Sequence, residues 1–360
     1  MNSASYHQIT HLPNRTIELD GKTYLYFSGT AYLGLPQHPA FQALIQEGLQ
    51  AYGSVYGSSR NGNLQLRIYE QAEAKLAAWT GSEAALTLSS GMLAGQAAIR
   101  QLMLDGYEFV YSPDVHPAVW HLPQVSIPAV SFEEWVENVV KPSSFQDTAK
   151  VCVVTNSVDA LRGKLYAFDW ITRLPDDREW VLLVDDSHGL GVIGEEGKGI
   201  WGQIPSLPHV RIIVTASLAK AMGLPGGVIF SDKITLQKIR STAYFGGCSP
   251  IAPDHLYAYL QANDLYAEAY QRLAYNVRQC ATQLASLGLF NASNALFPVF
   301  YTPHDDLYPF LLQRGIFVYS FAYPKPTDRA NTRIVLSAWH TDEDIETLVE
   351  ACRVFAETKR

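Results

Sequence analysis

The feature that most limits how this chain can fold is a series of short, almost uninterrupted apolar runs. Val151–Thr155 reads VCVVT, Val181–Asp185 reads VLLVD and Arg211–Ala216 reads RIIVTA. A strand with one wet face alternates apolar and polar residues. A run without alternation marks a strand covered on both faces, as in a parallel sheet. Shorter runs at Ala84–Leu88, Phe109–Tyr111 and Gly227–Phe230 read the same way. Helical patterns separate them. Residues 38–52 carry Phe41, Leu44, Ile45 and Leu49 at helical spacing, and residues 65–80 read as a helix ended by Gly81. Alternating strands and helices predict an α/β fold with helices on both faces of a mostly parallel sheet. Ligands then bind beyond the carboxyl ends of the strands. A polar cluster follows each long apolar run, so those clusters are the candidate site.

Outside this alternating region, Tyr24–Phe27 reads as a short strand and residues 253–288 as mostly helical. They lead into Ile316–Ser320, Arg333–Ser337 and a last helix, Asp342–Glu357, which predict a smaller α+β domain. The expected division is an N-terminal segment 1–37, a large domain 38–255 and a small domain 256–360, a plan that suits 360 residues. Lysine plus arginine is 27 against 35 aspartate plus glutamate, a net charge of −8. That balance offers no general attraction to nucleic acid or anionic lipid. No apolar stretch reaches the roughly 18 residues of a membrane span. The start, MNSASYHQITHLPNRTIELDG, lacks the basic and apolar regions of a signal peptide. Cys152, Cys248, Cys280 and Cys352 are sparse and form no CxxC pair, so they read as free thiols rather than metal ligands. A cytoplasmic location and no bound metal are expected.

The clusters themselves are individually ambiguous. Asp185-Asp186-Ser187-His188-Gly189 places an acid at a strand end with a histidine three residues on. That serves a site, or makes an ordinary capped turn. Gly189–Gly194 reads GLGVIG and matches GxGxxG, but the residues that follow, GEEGKGIWGQIP, form no helix to carry a pyrophosphate. Dinucleotide binding is therefore rejected. Ser217-Leu218-Ala219-Lys220 opens a small-residue loop that ends in GLPGG. A lysine with backbone close around it suits covalent chemistry. SxxK also marks serine acylases, but those need SDN and KTG elsewhere; this chain has Ser231-Asp232-Lys233 and no KTG. Leu88-Ser89-Ser90-Gly91-Met92 starts a helix whose first N–H groups suit a phosphate, or is a plain N-cap. His116, in YSPDVHP, admits a structural role after a strand. Arg333, in TRIVLSAWH, is either a surface edge residue or a bidentate carboxylate clamp.

Taken in order, these pieces are a phosphate-type helix start, a ring partner, an acid with a histidine, a lysine and a late arginine. Together they make the parts list for pyridoxal phosphate (PLP), whose aldehyde a lysine binds covalently. At this point the sequence resembles the fold-type I PLP enzymes, specifically the α-oxoamine synthases. That group includes 8-amino-7-oxononanoate synthase and 2-amino-3-ketobutyrate CoA ligase. The matching text is Tyr32-Leu-Gly-Leu with His38-Pro39, Tyr56-Gly-Ser-Ser-Arg60-Asn-Gly62, Ser90-Gly91 and the segment ending at His116. It continues with VDDSHGLGVIGEEGKG from Val184, SLAKAMGLPGG from Ser217, and Arg333. It runs from Tyr24 to Val349, nearly the whole chain.

The resemblance implies a large domain with a mostly parallel seven-stranded sheet and a smaller C-terminal α+β domain. It gives Lys220 the cofactor and then the proton at the substrate α-carbon. Asp185 would pair with the pyridine nitrogen, His188 would contact the ring hydroxyl, and His116 would stack on the ring. The N–H groups of Gly91 and Met92, with the Ser217 hydroxyl, would hold the phosphate. Arg333 would bind the amino-acid carboxylate. The implied reaction condenses an amino acid with an acyl-CoA and releases CO₂, in a homodimer with interfacial sites. The alternative is a class I/II aminotransferase or another PLP reaction on an amino acid. Thr30, Tyr69, Asn156 and Ala160 stand where the group usually has asparagine, histidine, glutamate and serine. Gly246 lies near the usual place of a phosphate-binding threonine from the partner subunit.

Overall fold

In the computed structural model the six apolar runs become the six strands of one sheet. The structure describes residues 7–141, 145, 148–291, 297–322 and 330–359. Contacts divide the chain into two compact units. The larger is Pro39–Asp159 with Leu165–Asp264; the smaller is Met1–His38, Ala160–Lys164 and Leu265–Arg360.

Across the larger unit's sheet the strands run Ala84–Leu88, Gly227–Ser231, Val210–Ser217, Glu179–Asp185, Lys150–Asn156 and Glu108–Tyr111. The last four are mutually parallel, while Gly227–Ser231 is antiparallel to both its neighbours. Seven strands were implied by the resemblance. Among the described residues there are six, because the sequence supplies six apolar runs in this unit and no seventh to extend an edge. Val151, Cys152, Val181, Leu182, Leu183 and Ile213 have no accessible surface, as the lack of alternation requires. Helix Gly91–Leu104 covers the sheet with Ala94, Ala97, Ala98 and Ile99, all fully buried. Gly95 lies on the same helix, and a Cβ there would stand 2.4 Å from the Ala118 carbonyl oxygen. The helix therefore touches, backbone to backbone, the turn that carries His116. Gln96 Nε2 ties the contact by donating to the carbonyls of Ala118 (2.9 Å) and Trp120 (3.0 Å).

Arg60, from the glycine–serine loop, serves this fold. Its guanidinium donates to both carboxylate oxygens of Glu73, at 2.7 and 2.9 Å, and to the Thr87 carbonyl. It also lies over the Tyr69 ring at 4.5 Å. The GxGxxG stretch is likewise structural. It forms turns, runs into a 3-10 turn at Glu195–Gly197, and packs against the buried Asp186 carboxyl. A Cβ on Gly189 would fall 1.9 Å from one Asp186 oxygen, and a Cβ on Gly199 2.3 Å from the other. Asp186 Oδ2 accepts the Ile200 N–H at 2.9 Å.

The smaller unit has a five-stranded sheet in the order Thr16–Leu19, Lys22–Phe27, Ile316–Ala322, Ala330–Val335, Val299–Thr302. Lys22–Phe27 pairs parallel with Ile316–Ala322, so the N-terminal segment shares its sheet with C-terminal strands. The last helix spans Asp342–Glu357, as its pattern predicts, and opens on a capping box between Thr341 and Asp344. No helix among the described residues is long and apolar enough to cross a membrane. All four cysteines are free thiols.

His340 makes the smaller unit sensitive to acid. The ring is 1% exposed and stacks on Phe27 at 4.1 Å. Its Nδ1 accepts the Ser337 N–H at 3.0 Å and its Nε2 donates to the Tyr26 carbonyl at 3.0 Å. Burial, the largest influence, pushes its pKa down from 6.5 to about 4. The unfolded imidazole takes a proton first, so this stability is whole above the unfolded pKa and is lost as pH falls towards the folded one. At about 1.4 kcal/mol per pH unit the total loss is about 3 kcal/mol. The urea midpoint should fall between about pH 7 and about pH 5, and fall less in His340→Gln. Equal slopes would remove His340 from the account.

Candidate functional site

Strand register collects the candidate residues at one edge of the larger unit's sheet. Asn156 lies opposite Asp185, and Asp185 opposite Thr215. Ser217 ends the next strand opposite Gly227, and Gly227 also faces Leu88. The antiparallel strand thus starts at the edge where its neighbours end, and brings the helix start at Ser90–Met92 to the same place. Two glycines make that approach possible. A Cβ on Gly91 would stand 2.6 Å from Ser217 Cβ, and one on Gly227 2.3 Å from the Ser90 carbonyl oxygen. Ser90 caps the helix, its hydroxyl accepting the Leu93 N–H at 3.1 Å. The N–H groups of Gly91 and Met92, at the positive end of the helix dipole, are left to other acceptors.

Asp185 is 7% exposed. Its Oδ1 accepts the Ser187 N–H at 2.9 Å, and the Ser187 hydroxyl accepts the Ser217 N–H at 2.9 Å. The carboxylate is therefore linked through Ser187 to the serine against which the helix start is seated. Asp185 Oδ2 lies 3.7 Å from His116 Nδ1. That nitrogen also accepts the Ala118 N–H at 3.2 Å, so it carries the lone pair and the ring proton belongs on Nε2. Burial, the largest influence, lowers the His116 pKa; Asp185 raises it and Lys220 lowers it further. The ring is neutral at neutral pH. About half of its side-chain surface, 51%, stays accessible.

Lys220 follows the end of strand Val210–Ser217 by three residues, which sets it at this edge too. Lys220 is half-buried, in a loop closed by backbone bonds from Leu218 N–H to Gly226 O (2.9 Å) and from Leu224 N–H to Leu218 O (2.9 Å). His188, also half-buried, lies in the turn directly after Asp185. Gly91, Met92, His116, Asp185, Ser217 and Lys220 thus converge as their chemistry suggests. Arg333 belongs to the smaller unit, on strand Ala330–Val335. There it is 7% exposed, donates to the Ala160 carbonyl at 2.7 Å and lies over the Tyr319 ring at 4.9 Å. Its buried Nε has no hydrogen-bond partner among the described residues.

Two contributors show their role only in the structure. Ser187 bridges Asp185 to Ser217 through a backbone N–H and a hydroxyl. Asn156 grips the turn before His116. An asparagine or serine after a strand looks like any loop residue. Tyr69, which stands for a histidine, donates to the Ile251 carbonyl at 3.0 Å and packs under Arg60.

A family model, aminotransferase class I and II, matches residues 22–352. The chain is similar to the 8-amino-7-oxononanoate synthase of Serratia proteamaculans, 31% identical over 93% of this chain and 90% of that one. Its fold is similar to the serine palmitoyltransferase of S. paucimobilis with bound PLP, at a TM-score of 0.81, 19% identity, and coverage of 98% and 92%. It is also similar to the 8-amino-7-oxononanoate synthase of Francisella tularensis, at a TM-score of 0.72, 20% identity, and coverage of 93% and 98%.

Proposed function

The chain belongs to the aminotransferase class I and II family, and from that premise we propose that it is a PLP-dependent acyltransferase. It condenses an amino acid with an acyl-CoA thioester and releases CO₂, in the manner of the 8-amino-7-oxononanoate synthases. The observation that carries this reading is the buried Asp185 carboxylate at a strand end, 3.7 Å from His116 Nδ1, on the same sheet edge where Ser217 meets the Gly91 helix start three residues before Lys220.

The residues present fit PLP. The glycines at 91 and 227 keep open a cradle that a Cβ would fill, beside Ser217 and the first N–H groups of a helix. That is an anion site matched to a phosphate. A carboxylate held at a strand end suits a protonated pyridine nitrogen, and an amine stands nearby. When bound, PLP supplies an electron sink that stabilises negative charge at the α-carbon of an amino acid.

Each residue then has a task. Lys220 Nζ would hold the cofactor covalently and, once its amine is free, would take the α-proton as general base. Asp185 keeps a proton on the pyridine nitrogen; its link through Ser187 holds it in place. His116 would lie against the ring, and its lowered pKa would keep it from opposing a protonated ring with a second charge. His188 would contact the ring hydroxyl. Gly91, Met92 and Ser217 hold the phosphate, and Arg333 takes the substrate carboxylate by charge-assisted hydrogen bonds. A second copy of the chain completes the site.

The test is release of free CoA. Glycine, alanine or serine supplied with acyl-CoAs of several lengths should give CoA and CO₂ in equal amounts with one pairing. Transamination needs a keto acid and releases no CoA. Amino-group transfer without CoA release would favour the aminotransferase reading.

A further inference from the structure

We propose that Asn156 is a positioning residue: a two-point amide clamp on residues 114–116 that fixes where the His116 ring stands beside Asp185. Asn156 ends strand Lys150–Asn156, 9% exposed and directly opposite Asp185 in the sheet. Its Oδ1 accepts the His116 backbone N–H at 3.2 Å, and its Nδ2 donates to the Asp114 carbonyl at 2.9 Å. Turning the amide over would set oxygen against oxygen and N–H against N–H, so only one orientation satisfies both partners.

The clamp has something to hold. Asp114 has φ +57°, a left-handed backbone conformation uncommon for a residue with a Cβ. Such a conformation persists where its surroundings fix it. His116 is thereby gripped twice, by Asn156 at its backbone and by the Ala118 N–H at Nδ1. Neither the chain nor the ring is free to swing away from the Asp185 carboxylate.

The group usually has a glutamate here; in this chain a neutral amide stands in its place and makes a pair of contacts that an ionised carboxylate cannot. An ionised carboxylate accepts hydrogen bonds and donates none, so it would leave the Asp114 carbonyl unserved. It would also set a second negative charge in register with Asp185, the arrangement that drives one of two carboxyls to hold a proton. The neutral amide leaves Asp185 as the one acid of that pair. The charged groups acting on the His116 ring are Asp185, from the neighbouring strand, and Lys220, from the loop after strand Val210–Ser217. The exposed Asp114 shares its own turn.

The clamp stands on the protein alone; its effect on PLP rests on the function proposed above. The experiment therefore reads both. Histidine NMR follows the His116 titration in the full-length protein without cofactor, and absorbance titration follows PLP binding. In Asn156→Ala the hold on the His116 backbone is lost, the ring shifts relative to Asp185 and Lys220, and its titration should move towards the free value of about 6.5. PLP should bind about tenfold more weakly. In Asn156→Asp the ionised carboxylate should show the same weakening. As pH falls the protonated acid regains a donor and an acceptor, so the affinity ratio of variant to wild type should close. If Asn156→Ala keeps the wild-type His116 titration and PLP affinity, the proposal is wrong. Lower thermal stability with an unmoved His116 titration would also overturn it, by showing a purely structural role. If PLP fails to bind the wild type, the functional reading falls while the His116 titration still decides on the clamp.

Discussion

Lys220→Ala is expected to lower product formation by at least about 10,000-fold, because one side chain supplies both the covalent anchor and the base. The fold should survive. The loop that carries Lys220 is closed by backbone bonds from Leu218 to Gly226 and from Leu224 to Leu218, none of which uses the lysine side chain. The rest of the cradle, Gly91, Met92, Ser217 and Asp185, is untouched, so PLP should still bind, now without a covalent bond. The expected result is an intact protein that takes up the cofactor, loses the visible absorbance band of the lysine-bound form, and turns nothing over. Added methylamine should restore a little activity, since it returns a small amine to the space. Turnover near the wild-type level in Lys220→Ala would leave the proposed mechanism without its central residue.

Asp185→Asn should cost about 100- to 1,000-fold, the usual range when a fixed electrostatic partner is removed from an active site. The substitution is close to isosteric. The amide oxygen still accepts the Ser187 N–H, so the link from residue 185 through Ser187 to Ser217 should persist. What disappears is the negative charge that holds a proton on the ring nitrogen. Melting temperature should therefore change little while turnover collapses. Asp186 cannot take over. It is 1% exposed, its Oδ2 is committed to the Ile200 N–H, and Gly189 and Gly199 crowd its two oxygens. Burial, the largest influence, pushes its pKa up to about 7. A variant that loses stability and activity in step would point to a structural Asp185 instead.

The larger unit is legible because burial on both faces writes itself as unbroken apolar runs. All six runs became strands, and Asp342–Glu357 matched its helix because the polar and apolar spacing has one solution there. Strand direction is not written in the same way. Gly227–Ser231 is as apolar as its neighbours yet runs against them, since an apolar run records burial and not polarity of the chain. The pairing of Lys22–Phe27 with Ile316–Ala322 joins residues far apart in sequence, which no local pattern encodes.

Site residues divide along the same line. Asp185, Lys220 and His116 are each ambiguous as local patterns; their order along the chain and the family resemblance single them out together. Asn156 and Ser187 act through backbone groups of other segments, so their roles exist only once register is known. The glycine-rich GLGVIG segment shows the reverse case. Its pattern suggests a nucleotide, while Gly189 and the later Gly199 leave room for a buried carboxyl.

The most direct test of the account is to load the protein with PLP, reduce it with borohydride, digest it and locate the label by mass spectrometry. Reduction fixes the cofactor to whichever amine held it. The account predicts a pyridoxyl phosphate group on the peptide containing Lys220, and no label there when that residue is alanine. A label on any other lysine, or no label on a protein that has bound PLP, would contradict it.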